Sequence, residues 1–145
     1  MASPLLLIVE DNPHEQLALA ELVRKFDYET QVVSSGEDAI AAIRTTRFAA
    51  ILMDITLPEM DGYECTRRIR ELEKAWNRHI PVIALTGRAQ QTDRIESKSA
   101  GLDDYLCKPF KPDDLRRILL RWVYEPSRPN LKVLIRSADE DSVYE

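Results

Sequence analysis

The chain has 145 residues, of which 44% are hydrophobic, 31% charged and 7% aromatic, a balance that suits one globular domain and excludes a wholly disordered chain. Its 20 Lys and Arg residues face 25 Asp and Glu, a net charge of −5 with no extended basic run, so direct nucleic-acid binding is not expected. The two cysteines, Cys65 and Cys107, lack CxxC or Cys/His spacing, which excludes a disulfide framework or zinc site and leaves two buried thiols in a reducing compartment as the expectation.

In chain order, the first apolar run is LLLIV at residues 5–9, too short and too acidic at its end for a signal peptide or membrane span, so a cytoplasmic protein is expected. It runs into Glu10 and Asp11. A helix follows, with Pro13 suited to its first turn and Leu19, Leu22, Val23 and Phe26 at i, i+3, i+4, i+7. The second strand candidate is TQVVS at 30–34, and Ser35 with Asp38 caps the next helix. The third is AAILM at 49–53, ending on Asp54, after which Asp61 and Glu64 open the third helix.

PVIAL at 81–85 is the fourth candidate, followed by Thr86 and Gly87. The stretch at about 90–100, QQTDRIESKSA, offers little apolar beyond Ile95 and predicts a weakly held, mobile helix with Gly101 as its C-cap. DYLC at 104–107 leads to Lys108 and Pro109, and the last helix begins near Pro112 with Leu115, Ile118, Leu119 and Trp122 as its stripe. Residues 125–145 leave this rhythm, opening on two prolines and closing in acid; they are expected to form a tail or linker beyond a domain of residues 1–124.

Most of these strands are continuously apolar, as parallel strands covered on both faces are. Five βα units in so short a chain predict a doubly wound, three-layer α/β fold with right-handed crossovers and its site beyond the carboxyl ends of the strands. At that edge gather Glu10, Asp11, Asp54, Thr86, Gly87 and Lys108. Carboxylates so close repel one another unless a cation compensates, and all-oxygen ligation with retained waters is the magnesium pattern. Lys108, the Thr86 hydroxyl and the backbone after Gly87 form a cradle for a phosphoryl group, with Asp54 placed as the nucleophile.

Together VEDN, ILMDITLPEMDGYE, IALTGRA and DYLCKPF resemble the receiver domain of two-component response regulators over residues 5 to about 123. The resemblance implies a flavodoxin-like (βα)5 sheet of strand order 2-1-3-4-5. It makes Asp54 the phosphoacceptor, Asp11 the direct magnesium ligand, Glu10 a ligand through metal-bound water and the Thr56 carbonyl the last protein ligand, with manganese able to substitute. Thr86 and Tyr105 match the switch pair, and Lys108 the lysine that meets the phosphoryl oxygen. Thr56 and Arg88 occupy the positions that tune phosphoryl lifetime, Arg88 being expected to slow attack by water. Lys108-Pro109 suits a cis peptide bond in this family. Glu10 in place of the usual Asp, and Gly87 in place of the commoner Ala, are mild departures.

The implied function is a phosphorylation-controlled switch in a phosphorelay, an acceptor from the phosphohistidine of a histidine kinase or phosphotransfer protein and not an enzyme acting on a separate substrate. Its output is expected through the face of the 90–100 helix, the fifth strand and the last helix, toward a protein target or a second copy. Starting at Met1 with no output domain following, the chain is expected to be a single-domain regulator. A haloacid-dehalogenase-like phosphatase is a rival, but it needs an acid where Thr56 stands. A flavodoxin-like cofactor binder is another, but its first loop is rich in Ser, Thr and Gly where this chain has EDN; a receiver-like scaffold that is never phosphorylated is the third. His14 and His79 are expected to be solvated, and Arg67, Arg68 and Arg70, like Arg116, Arg117 and Arg121, to form polar helix faces.

Overall fold

The computed structural model describes residues 3–87 and 99–124. Five parallel strands, β1 (Leu5–Val9), β2 (Glu29–Val33), β3 (Ala50–Asp54), β4 (Val82–Thr86) and β5 (Asp104–Cys107), form one sheet in the order β2-β1-β3-β4-β5. The described helices are α1 (Pro13–Lys25), α2 (Gly36–Thr45), α3 (Gly62–Trp76) and α4 (Pro112–Leu119), the last continuing as a π-helical stretch, Leu120–Tyr124. The chain is thus doubly wound and flavodoxin-like, as its alternation of elements required. The helix expected at about 90–100 falls largely outside the described residues; residues 99 and 100 are helical and Gly101 follows with φ 97°, a left-handed turn that favours glycine.

Successive residues of a strand face opposite sides of the sheet, so a continuously apolar strand feeds two cores. Leu7, Val9, Ile51, Met53, Val82 and Ala84 pack with Ile43 of α2 and Ile69 of α3. Leu6, Ile8, Leu52, Ile83 and Leu85 pack on the other side with Leu19 and Val23 of α1 and with Leu115, Ile118 and Leu119 of α4. β2 lies at the sheet edge and is only partly covered, which explains why Glu29 and Gln31 are tolerated there.

The helix starts follow their sequence signals. Pro13 and Pro112 occupy first-turn positions, the Ser35 hydroxyl accepts from the Asp38 N–H at 3.1 Å, and the Asp61 carboxylate accepts from the Glu64 N–H at 2.9 Å. β3 and β4 each begin one residue later than the apolar runs suggest and end on Asp54 and Thr86, while β2 begins and ends one residue earlier. Pro81 has no N–H for the ladder, and only its carbonyl takes part, accepting from Ile51 at 2.8 Å. Cys65 is buried and its thiol is pushed up to about 12 by desolvation; Cys107, expected to be buried too, is only half-buried because β5 is the other edge strand.

Candidate phosphoacceptor site at the carboxyl edge of the sheet

Glu10 follows β1 and stays in its ladder, donating its N–H to the Val33 carbonyl at 3.1 Å, so the pairing draws a carboxylate into the protein at 1% exposure. Asp54 closes β3, next to β1 in the sheet, and is 4% exposed. The start of α3 is pressed against this strand end: a Cβ on Gly62 would lie 2.7 Å from the Asp54 carbonyl oxygen and 2.9 Å from Ile55 Cα. Only glycine permits that approach, which is the physical content of the Asp61-Gly62 pair.

The Asp54 carboxylate is oriented locally. Its Oδ1 accepts from both the backbone N–H and the hydroxyl of Thr56, each at 3.0 Å. Thr86 ends β4 in the strand beside β3, buried, and its carbonyl accepts from the Lys108 N–H at 2.7 Å, so β5 delivers Lys108 to the same edge. The peptide bond after it, Lys108-Pro109, is cis, as the family resemblance implied. Tyr105 is half-buried against the α2–α3 core. Gly87 is exposed with open space where a side chain would stand, and Arg88 lies outside the described residues.

Carboxylate oxygens of Glu10, Glu15 and Asp54 all lie within 4.8 Å of one another, a spacing that could hold a cation. Asp11 is exposed and is not in that group, whereas Glu15, which the sequence reading passed over, is. An acid in the first turn of a helix ordinarily answers the helix dipole. The overlooked signal was Asn12, whose side-chain oxygen caps α1 by accepting from the His14 and Glu15 N–H groups at 2.9 and 3.1 Å and so seats residue 15 in the first turn after the strand end.

Lys108 Nζ lies 3.5 Å from Glu10 Oε1 and 3.5 Å from Glu15 Oε2. Desolvation opposes its charge, but Asp54, Glu10 and Glu15 together hold its pKa above the usual lysine value. Burial pushes the Glu10 carboxyl up to about 7, with Glu15 and Asp54 adding to the rise while the Asn12 N–H, at 3.0 Å, and Lys108 oppose it. The all-oxygen donor set and its excess negative charge fit a hard divalent cation such as magnesium. Beside it, Glu10, Glu15, Leu19, Leu22, Lys108 and Phe110 line part of a pocket of about 380 Å³.

Far from this site, a second charged cluster departs from the sequence reading. Arg70, expected on a polar face, is only 17% exposed and binds Glu73 Oε1 at 2.6 Å, Asp103 Oδ2 at 2.7 Å and the carbonyls of Ile80 and Gly101. It faces inward because the loops before β4 and β5 close over the end of α3. His79 is half-exposed, but its Nε2 lies 2.7 Å from Asp103 Oδ1. By contrast Arg116 and Arg117 pair with Asp113 at the surface, as a polar face should.

An open parallel sheet that gathers acids and a lysine at its carboxyl edge is the architecture of an α/β protein that binds charged groups at its strand ends. Residues 6–120 match the response regulator receiver domain family, and the chain belongs to it. Its structure is similar to the receiver domain of sensor histidine kinase PA1611 from Pseudomonas aeruginosa, which holds a magnesium ion in its active-site cleft: 43% identity, TM-score 0.77, covering 84% of this chain and 98% of that one. It is also similar to the receiver domain of the Saccharomyces cerevisiae response regulator Ssk1, solved with the histidine phosphotransfer protein Ypd1: 27% identity, TM-score 0.78, covering 89% and 94%. Among curated proteins it is 34% identical over 121 residues to the sensor protein GacS of Pseudomonas syringae, covering 83% of the chain. To the transcriptional regulatory protein TcrA of Mycobacterium tuberculosis it is 37% identical over 110 residues, covering 76%. The chain spans only 13% of the first of these and 42% of the second.

Proposed function

We propose that this chain is a phosphorylation-controlled signalling switch in which Asp54 accepts a phosphoryl group from the phosphohistidine of a sensor kinase or phosphotransfer protein. One observation carries the reading: Asp54 is buried at a strand end, with one oxygen tied to Thr56, two further carboxylates close by and Lys108 across the cleft. The Thr56 bonds fix Oδ1 and leave Oδ2 as the attacking atom; the N–P bond of the donor breaks as the O–P bond to Oδ2 forms.

Magnesium bound there would offset charge on the transferred oxygens; Glu10, Asp54, Asp11 through its exposed side chain, and the Thr56 carbonyl are the groups within the loop cluster to hold it, and manganese has the same oxygen preference. Lys108 and the Thr86 hydroxyl bind the acquired oxygens, and Tyr105 follows Thr86 inward. The resulting change is passed to the stretch before β5, to β5 and to α4, where a protein target or a second copy docks. Arg88 shields the acyl phosphate from water, so Arg88→Ala shortens its half-life.

This chemistry modifies only the chain itself, which makes it a switch and not an enzyme with a separate substrate. Thr56 supplies a hydroxyl where a phosphatase of the haloacid-dehalogenase type needs an acid. A cytoplasmic setting fits the phosphodonor, and among the described residues no helix is long and apolar enough to cross a membrane.

The test is incubation with magnesium and a small phosphodonor, read by intact mass and Trp fluorescence. Wild type gains the mass of one phosphoryl group and Asp54→Asn does not; no adduct in wild type, or an adduct that persists in Asp54→Asn, overturns the reading.

A further inference from the structure

The cation of the site has two partners of different character. Lys108 Nζ is equidistant, at 3.5 Å, from Glu10 on β1's end and Glu15 on α1. The Glu10 side chain is 2% exposed, so stripping away its cation leaves a buried carboxylate uncompensated, which is costly. The Glu15 side chain is 51% exposed and sits in the first turn of α1, where water and the helix dipole accept its charge when Lys108 departs. Lys108 itself is 29% exposed and lines the pocket of about 380 Å³, so its ammonium can swing without displacing packed side chains.

The geometry points to Glu15 as a positioning residue for Lys108: a releasable latch that holds the ammonium against α1 in the unphosphorylated state and competes with the phosphoryl group for it. This rests on the phosphoacceptor reading and adds to it a residue outside the motifs that carry the family resemblance. Two consequences follow from the competition. Neutralising Glu15 without changing its shape frees Lys108 for an incoming tetrahedral anion. The gain depends on Lys108 being there to be freed, whereas simple repulsion between Glu15 and the anion does not.

Beryllofluoride with saturating magnesium is the probe, its affinity measured by calorimetry or fluorine NMR for wild type, Glu15→Gln, Lys108→Met and the double variant. Melting temperatures unchanged by Glu15→Gln within each Lys108 background guard against a purely structural effect. Glu15→Gln is expected to bind about three- to tenfold tighter than wild type, an effect of the size that one partly screened charge contact provides. The same substitution made beside Lys108→Met is expected to gain nothing, the non-additivity of residues acting through one contact. Unchanged or weaker binding by Glu15→Gln overturns the latch, and so does an equal gain with and without Lys108, because the charge then acts directly on the anion. Failure of wild type to bind beryllofluoride at all sinks the phosphoacceptor reading itself, a distinct result.

Discussion

The two ends of one parallel sheet carry two charged clusters of opposite design. At the amino edge, Arg70 hydrogen-bonds directly to both Glu73 and Asp103, and two further donors end on the carbonyls of Ile80 and Gly101. At the carboxyl edge three acids, Glu10, Glu15 and Asp54, face Lys108, which lies 3.5 Å from the first two and feels the charge of the third, so negative charge is in larger excess. Both are partly buried, so burial alone does not separate them. A cluster whose carboxylates each hydrogen-bond directly to a cation holds elements together, whereas one whose cation stands 3.5 Å from two of its three acids is strained until a ligand completes it.

The largest effect that would break this contrast is at the amino edge. Arg70→Ala leaves Glu73 and Asp103 without their cation, and a loss of about 3–5 kcal/mol in denaturant unfolding is expected, with magnesium affinity little changed. A loss under about 1 kcal/mol would mean the pairs are not what joins α3 to the loops before β4 and β5.

The carboxyl edge should show the reverse sign. Glu10 is raised from 4.5 to about 7, so between those values the unfolded chain has lost its proton while the folded one keeps it. Metal-free stability therefore falls as pH rises from 4.5 to 7 and levels off above, by about 3 kcal/mol from this residue. Glu10→Gln removes that slope and is more stable than wild type near neutral pH without metal. Magnesium should restore much of the wild-type stability at pH 7 and little of it at pH 4.5, which thermal melts at both pH values would read. A flat metal-free profile would show that the excess charge is not felt.

Smaller effects calibrate the two. Asp61→Ala removes the cap of α3 beside the acceptor and should cost about 1 kcal/mol. Lys74→Ala breaks an ion pair whose partners are 74% and 75% exposed, and a change within about 0.5 kcal/mol is expected. A larger cost there would mean that solvent-exposed pairs cannot serve as the baseline for either edge.

The local signals that survive into the fold are those that need few partners. A proline at a helix start, Ser35 or Asp61 offering an oxygen to a backbone N–H, and an apolar run bounded by polar residues act within one turn or strand. Asp54 and Lys108 were legible for a related reason: strands of one polarity in a parallel sheet end at one edge, so the residue after each run is placed by topology. Arg70 was misread because helical period puts it beside Arg67 and Arg68, and only the loops closing over α3 turn it inward. Glu15 was missed because its chemistry depends on what lies opposite, 93 residues along the chain at Lys108.

The sequence by itself determined the five strands, the doubly wound class and the identity of the acids and lysine at the strand ends, since hydrophobic period and turn chemistry act locally. The tertiary structure decided which charges share a partner. Glu10 is buried by its bond to Val33, Glu15 is brought to Lys108 by the seating of α1, and Arg70 is enclosed by loops from two other strands. Pairing energies depend on distance and on the water excluded around each charge, and both are set by segments remote in the chain.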